Sequence, residues 1–348
     1  MSIAWRAVSD GSAVTRVVAR GSGTVRPGLG RRGGERVEGS APAPRVSVGI
    51  PVYDGEEFLA EAIEGVLAQD FTDLEVIVSD NGSTDATPQI CARYAAADPR
   101  VRVLRSDVNR GLAWNFNRVF HEARGELFMW NAADDVRLPG MVRACVAALD
   151  ADPGLVLAHT RTTYVDEHGS VLRVWPRAGR ASAATPHERF GDVVMNEAEC
   201  FPAHGVIRCS ALATTALHGG YPNSDNPLLA ELALRGRFVE LDEELFLRRD
   251  HPGRSMRTFT TTKARNAFFD PRRSGKITLP RWRIGAEYAR GVQRAVRTAG
   301  LDRAEAARCY RYLGPWAVKW RGHLSRNVAS ASSEVLARGI ARARSVRG

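Results

Sequence analysis

The chain has few cysteines, little lysine and no long apolar run, and each lack narrows what it can be. Its five cysteines, Cys91, Cys145, Cys200, Cys209 and Cys309, are scattered through 348 residues. No Cys-x-x-Cys pair occurs, so the spacing suits neither a zinc site nor a disulfide framework. It points to a reducing compartment, with the thiols as core filler. No window approaches the roughly 18–20 apolar residues of a membrane-spanning helix. There is no Gly-x-x-x-x-Gly-Lys-Ser/Thr loop and no Gly-x-Gly-x-x-Gly after the first strand. Those absences argue against a P-loop ATPase and a dinucleotide-dependent dehydrogenase.

The net charge of +10 is unevenly placed, and nearly all of the positive charge is arginine. Residues 45–250 carry 20 basic and 31 acidic side chains. Residues 251–348 carry 22 and 5, and residues 1–44 carry 7 and 3. A basic C-terminal third suits nucleic acid, an anionic membrane surface or a phosphorylated ligand. It equally suits a solvated face in an arginine-rich protein. Residues 1–44 are rich in Gly, Arg, Ser and Pro and can build little core, so a disordered leader is expected there. The segment lacks the sustained apolar region of a secretory signal.

Order is expected from Arg45. RVSVGIPV reads as a buried strand ended by Pro51. A helix follows, with Phe58, Leu59, Ala62, Ile63, Val66 and Leu67 at helical spacing. LEVIVSD (74–80) is a second strand, and Thr84 or Asp85 can cap the helix after it. VRVLRS (101–106) and GELFMWN (125–131) are the third and fourth strands, each again separated by a helix. Such alternation predicts an α/β fold with a mostly parallel central sheet. Beyond Asp150 the rhythm changes to a strand pair, shorter helices and a strand or pair over RFVELDEELFLRR. Residues 283–344 read as helical and basic.

Ligands of open α/β sheets bind beyond the carboxyl ends of the strands. Those ends here are Pro51-Val52-Tyr53-Asp54-Gly55, Asp80 through Asp85, Asp107 through Gly111, and Asn131 through Asp135. All are polar and turn-prone. Singly, each has a plain explanation as a turn or cap. Together on one sheet edge they point to a ligand site. Paired carboxylates without a phosphate-cradling glycine loop suggest a divalent cation bridging a diphosphate.

The ordered segments VSVGIPVYDGEEFLAEAIEGVLAQDFTDLEVIVSDNGSTDAT, NRGLAWNFN and GELFMWNAADDV resemble the N-terminal half of the family 2 glycosyltransferases. The strong likeness covers residues 45–142, and a weaker one runs to about 256. It implies the GT-A fold, a Rossmann-like nucleotide-diphospho-sugar transferase, over residues 45–256. Residues 45–142 would be its nucleotide-binding half and 143–256 its acceptor half, with a basic helical extension over 257–348. It also implies an inverting, nucleotide-sugar-dependent enzyme.

By that resemblance, Pro51 and Tyr53, with Asp54 beside them, pack on the base, and Asp80 hydrogen-bonds its edge. Asn109 and Arg110 contact nucleotide or diphosphate. Asp134 matches the last aspartate of the metal-binding Asp-x-Asp signature, and Asp135 follows it. The first aspartate of that signature is replaced by Ala132, so the expected Mg²⁺ or Mn²⁺ would be held by Asp134 with help, His251 being the candidate. Asp225, ahead of a helix, is the expected general base, although Ser224 replaces the usual preceding glutamate. Arg248, Arg249 and Arg254 add positive charge near the diphosphate. His204 and Arg208 are the acceptor-pocket candidates.

The implied partners are a nucleotide-diphosphate sugar and a glycan, glycolipid or small-molecule acceptor. Nucleic acid is not expected, because the basic region lacks a standard binding motif. Trp316, Trp320, Tyr310 and Tyr312 among arginines suit either an anionic membrane surface or packing on the catalytic domain. The expected location is cytoplasmic, peripheral at the inner face of the membrane. The alternative reading is a non-catalytic nucleotide-sugar or glycan-binding protein of the same fold.

Overall fold

A computed structural model of the chain describes residues 43–177, 181–196, 199–259, 261–273, 276 and 279–345. The leader expected over residues 1–44 lies almost wholly outside the described residues. The first half alternates as expected: β1 (Val46–Val52), α1 (Leu59–Leu67), β2 (Leu74–Asp80), α2 (Thr87–Ala97), β3 (Val101–Arg105), α3 (Leu112–His121) and β4 (Leu127–Trp130). A two-residue β5 (Val136–Arg137) and α4 (Met141–Ala151) follow. The second half holds β6 (Leu155–Val165), β7 (Val171–Val174), α5 (Pro186–Met195), β8 (Val206–Arg208), α6 (Cys209–Leu212), α7 (Asp225–Ala233) and β9 (Arg237–Arg249). Helices α8 (Ser255–Thr258), α9 (Thr262–Phe269), α10 (Pro280–Thr298), α11 (Arg303–Tyr310), α12 (Leu313–Lys319) and α13 (Arg321–Ser345) complete the described chain.

One mixed sheet runs in the order β3-β2-β1-β4-β8-β6-β9-β5, with β7 on β6. Strands β1 to β4 are parallel. Every residue of β1, β2 and β4 is buried, as strands covered on both faces must be. The expected strand or pair over 237–249 is a single long strand, β9. It lies parallel to β6 with register shifts and antiparallel to β5.

Two cores lie against the sheet. One joins Val46, Val48 and Val76 of the strands to Leu59 and Ile63 of α1 and Val142 and Cys145 of α4. The other joins Val119 of α3, Phe128 and Trp130 to α5, α7 and α10. Gly49 makes the second possible: a Cβ there would stand 2.6 Å from Val119. Any side chain would push α3 off β1.

The C-terminal helices join the second core. Gly291 of α10 lets Glu231 of α7 lie against it, and buried Glu231 accepts a hydrogen bond from Arg294 at 3.0 Å. Trp316 is buried against Gly285 and Tyr288, and Tyr312 packs on Gly191. These two aromatics face inward. Their composition suits a membrane surface, but their apolar area is better buried by the protein itself. Among the described residues no helix is long and apolar enough to cross a membrane.

Candidate active site

Register brings the four strand ends together. Val52 pairs with Asp80, Asp80 with Arg105, and Gly49 with Trp130. The loops beyond β1, β2, β3 and β4 therefore share one edge. The strand order reverses direction at β1, which opens a crevice between β1 and β4.

At the β1–β3 end, loops hold loops. The Asp54 backbone N–H donates to Ser83 Oγ at 2.9 Å, and its carboxylate accepts from the Thr84 N–H at 2.8 Å. Asp54 adopts φ 45°, a left-handed conformation that aspartate tolerates better than most residues. Asp80 is fully buried, accepting from the Ser83 N–H and from Arg105 Nη1, both at 2.9 Å. Asn109 Oδ1 accepts from Asn81 Nδ2 at 3.0 Å and the Gly111 N–H at 2.8 Å. Asp80 and Asn109 are thus engaged in shaping the loops. Pro51 is buried within β1, whereas Tyr53, at 42% exposed, and Arg110 present free surface.

At the β4 end sit the carboxylates. Asp134 Oδ2 lies 3.1 Å from His251 Nε2. Burial alone would raise the Asp134 pKa, but the hydrogen bond and charge of His251 hold it below the usual carboxylate range. His251 is fixed edge-on against Phe58, ring centroids 4.7 Å apart. Asp135 is buried, and its Oδ1 accepts from the Arg249 N–H at 3.1 Å. Burial and the adjacent Asp134 push its pKa up to about 6. The two aspartates therefore differ in kind: Asp134 is the ionised, half-exposed one.

Among the described residues no three His, Cys, Asp or Glu side chains cluster to hold a metal. Asp134 and His251 supply two donors. Two protein donors fit a divalent ion whose other ligands are phosphate oxygens and water. Ala132 supplies none.

The three arginines divide. Arg249 Nε donates to the Asp134 carbonyl at 3.2 Å, Nη1 to that of Glu167 at 3.0 Å, and Nη2 bonds Glu61. It braces the loop from behind. Arg254 pairs with Asp250 at 3.3 Å. Arg248 pairs with Glu199 at 3.4 Å and lies over Phe201. Against the effect of burial, the Asp135 and, more weakly, Asp134 carboxylates raise its pKa, and its charge opposes the rise of the Asp225 pKa.

Asp225 opens α7 but does not cap it: no side-chain cap bond forms, and Ser224 is the N-cap residue. Its Oδ1 accepts from the neighbouring Asn226 N–H at 3.1 Å. Burial raises its pKa, against the opposing influence of a Cys200 hydrogen bond and the Arg248 charge. Cys200 carries no signal in sequence, being 25 positions away. Arg137 was also hidden. It is fully buried, 3.7 Å over the Phe246 ring, and burial lowers its pKa to about 10.

The acceptor candidates separate. His204 precedes β8 at the crevice end, because Val206 pairs with Met129 in antiparallel register. Arg208 lies at the other end of that strand, opposite Leu127, and its guanidinium donates to the Leu155 carbonyl at 2.7 Å. This corrects the expectation for Arg208: antiparallel pairing carries it to the far edge of the sheet, where it braces the turn before β6.

Buried His204 and His218 bear on acid stability. Burial pushes His218 down to about 4 and His204 well below 6.5. Each is neutral in the fold but protonates in the unfolded chain. Their stabilisation is complete above pH 6.5 and is lost as pH falls towards 4. For His218 the full effect is on the order of 3 kcal/mol. Urea unfolding at pH 7 and pH 4.5 checks it, and His218→Gln is expected to flatten the difference by 1 kcal/mol or more.

Comparisons with known proteins agree with this geometry. Residues 47–208 match the family described as glycosyl transferase family 2. The chain is 28% identical over 230 residues to the putative glycosyltransferase EpsE of Bacillus subtilis, covering 62% of this chain and 77% of that one. It is 33% identical over 129 residues to a chondroitin synthase of Escherichia coli, covering 37% of this chain and only 19% of the synthase. It is 34% identical over 135 residues to the succinoglycan biosynthesis protein ExoO of Rhizobium meliloti, covering 39% and 38%. The fold is similar to that of S. aureus TarS 1-349, crystallised in complex with UDP-GlcNAc, with TM-score 0.58 at 17% identity over 84% of this chain and 81% of that one. With the strand-end motifs, the sheet order and these matches in agreement, residues 47–208 carry a glycosyl transferase family 2 domain, and the fold is similar to that of the GT-A glycosyltransferases.

Proposed function

We propose that this glycosyltransferase moves a sugar from a nucleotide-diphosphate donor to an acceptor hydroxyl by a single inverting displacement. The observation that carries the reading is the Asp134–His251 pair, 3.1 Å apart at the crevice end of β4, which supports a diphosphate site beyond the parallel strands.

In this reading Pro51, Tyr53, Asp54, Asp80, Asn109 and Arg110 form the nucleoside end of the donor site. Asp134 and His251 hold a divalent cation, which when bound stabilises negative charge on the diphosphate oxygens. Asp225 accepts the proton of the acceptor hydroxyl. The hydroxyl oxygen bonds to the sugar C1 from the face opposite the leaving group. The bond from C1 to the diphosphate oxygen breaks, and the nucleoside diphosphate departs with the electron pair. Arg248 and Arg254 add fixed positive charge where that negative charge develops. His204 borders the acceptor side.

The named relatives include polysaccharide synthases and a succinoglycan biosynthesis protein, which supports a saccharide acceptor in envelope or extracellular polysaccharide assembly. TarS was crystallised with UDP-GlcNAc, which makes UDP-sugars the first donors to test. Donor hydrolysis and transfer are measured across UDP-, GDP- and dTDP-sugars with Mg²⁺ or Mn²⁺. One donor class is expected to turn over and to be inhibited by its own nucleoside diphosphate. No turnover together with no nucleoside-diphosphate binding would overturn the proposal.

A further inference from the structure

A cavity of about 410 Å³ lies beside the donor loops and shares Arg110 alone with the donor site above. Trp114, Arg118 and His121 form one of its walls at i, i+4 and i+7 along α3. Phe269, Asp270 and Arg272 form the facing wall, and His218 and Gly220 close one side. Arg110, from the loop before α3, completes the rim.

Its charge is unbalanced. Asp270 is the cavity's acidic side chain, and Arg272 already binds it at 2.8 Å and Arg273 at 3.5 Å. Arg110 and Arg118 form no ion pair among the described residues. They donate instead to Ser106 Oγ at 3.3 Å and the Arg105 carbonyl at 3.3 Å. Both guanidinium groups lie near the Trp114 ring, 5.2 and 5.0 Å from its centroid. Arginines stacked on an aromatic and lacking a carboxylate are arranged for a planar or tetrahedral anion.

The closing side is rigid. His218 is 91% buried, and its Nε2 has no hydrogen-bond partner. Its backbone is fixed instead, the N–H donating to Asn117 Oδ1 at 3.0 Å and the carbonyl accepting from Asn117 Nδ2 at 2.9 Å. The ring packs edge-on against Trp130 and Phe116. Ala113, Trp114 and Phe269 supply apolar surface for the C–H face of a ring. The cavity falls within the volume range typical of small-molecule sites and exceeds what a free anion needs.

We propose that this cavity binds an acidic saccharide, a sugar ring bearing a carboxylate or a phosphate, at a site separate from the nucleotide's. Arg118 and Arg272 hold the anionic group, and Trp114 and Phe269 cover the ring. The segment of His218 and Gly220 leads into Asp225 five residues on, so the cavity adjoins the acceptor side.

Calorimetry and tryptophan fluorescence on the full chain test it, with four probes: a glucuronate-terminated disaccharide, glucose 6-phosphate, the neutral glucose-terminated disaccharide and inorganic phosphate. UDP with Mn²⁺ is titrated separately. At least one acidic sugar is expected to bind ten-fold or more tightly than both the neutral sugar and inorganic phosphate. Arg118→Gln is expected to weaken that binding ten-fold or more and leave UDP affinity within two-fold. Arg272→Gln, at an exposed position tolerant of change, is expected to weaken it by a smaller factor. Equal binding of the neutral sugar, equal binding of inorganic phosphate, or no binding by any probe overturns the proposal. UDP binding reports the donor site independently, so its loss would count against the proposed transfer reaction and not against this cavity.

Discussion

Asp225→Asn is expected to lower kcat by about 10²–10⁴-fold, the usual contribution of a positioned general base, while nucleoside-diphosphate affinity stays within two-fold. Asparagine matches the size of aspartate and can still accept from the Asn226 N–H that Asp225 Oδ1 now uses. It cannot take a proton. Burial holds the Asp225 carboxyl above its ordinary pKa, with the Cys200 thiol and Arg248 restraining the rise. That makes it a better base than a free carboxylate. The acidic limb of the kcat profile should therefore fall above pH 3.8, and the residual Asn activity should lack it. The same substitution should raise the thermal midpoint at pH 7. A carboxyl whose pKa is raised on folding stabilises the fold only below its unfolded pKa, and that contribution is lost as pH rises through the folded pKa. Stability gained with turnover lost is the pattern of a strained functional group. Retention of more than a tenth of wild-type kcat would remove Asp225 from the base role.

The sequence made the first half of this molecule legible because its signals are local. Short β-branched runs, helical spacing and polar strand ends identify β1 to β4 and the crevice they share. The second half resists such reading because its pairings are distant. β9 joins β6 over one stretch and β5 over two residues, and no periodicity announces either. The site divides in the same way. Asp134 stands in a recognisable segment, but its pairing with His251 spans 117 positions. Asp80 was visible as a strand-end carboxylate, and the structure buries it beside Arg105, its register partner on β3. Arg208 failed for a purely geometric reason: three residues of antiparallel strand suffice to move a side chain from the crevice to the far edge. Arg137 and Cys200 were silent because burial and neighbourhood, not residue type, give them their character.

Asp134→Ala is expected to abolish metal-dependent turnover, with a loss of about 10²–10³-fold corresponding to several kcal/mol of charge stabilisation. With Ala132 in place of a second carboxylate, Asp134 is the ionised oxygen donor left at the end of β4. Its partner His251 is held by Phe58, so the two donors are pre-positioned even though they are only two. His251→Ala should be milder, because it removes one imidazole donor, leaves the carboxylate in place and lets the Asp134 pKa return upward. Ala132→Asp runs in the opposite direction. It adds a carboxylate two positions before Asp134 and should tighten Mn²⁺ binding in the presence of UDP. Its benefit to kcat should be smaller, since an ion held too firmly slows release of the nucleoside diphosphate. Mn²⁺ titration with UDP, followed by electron paramagnetic resonance, reads affinity directly and separates it from turnover. Unchanged metal-dependent turnover in Asp134→Ala would overturn the assignment of the ion to this carboxylate. Unchanged Mn²⁺ affinity in Ala132→Asp would mean that position 132 does not face the ion.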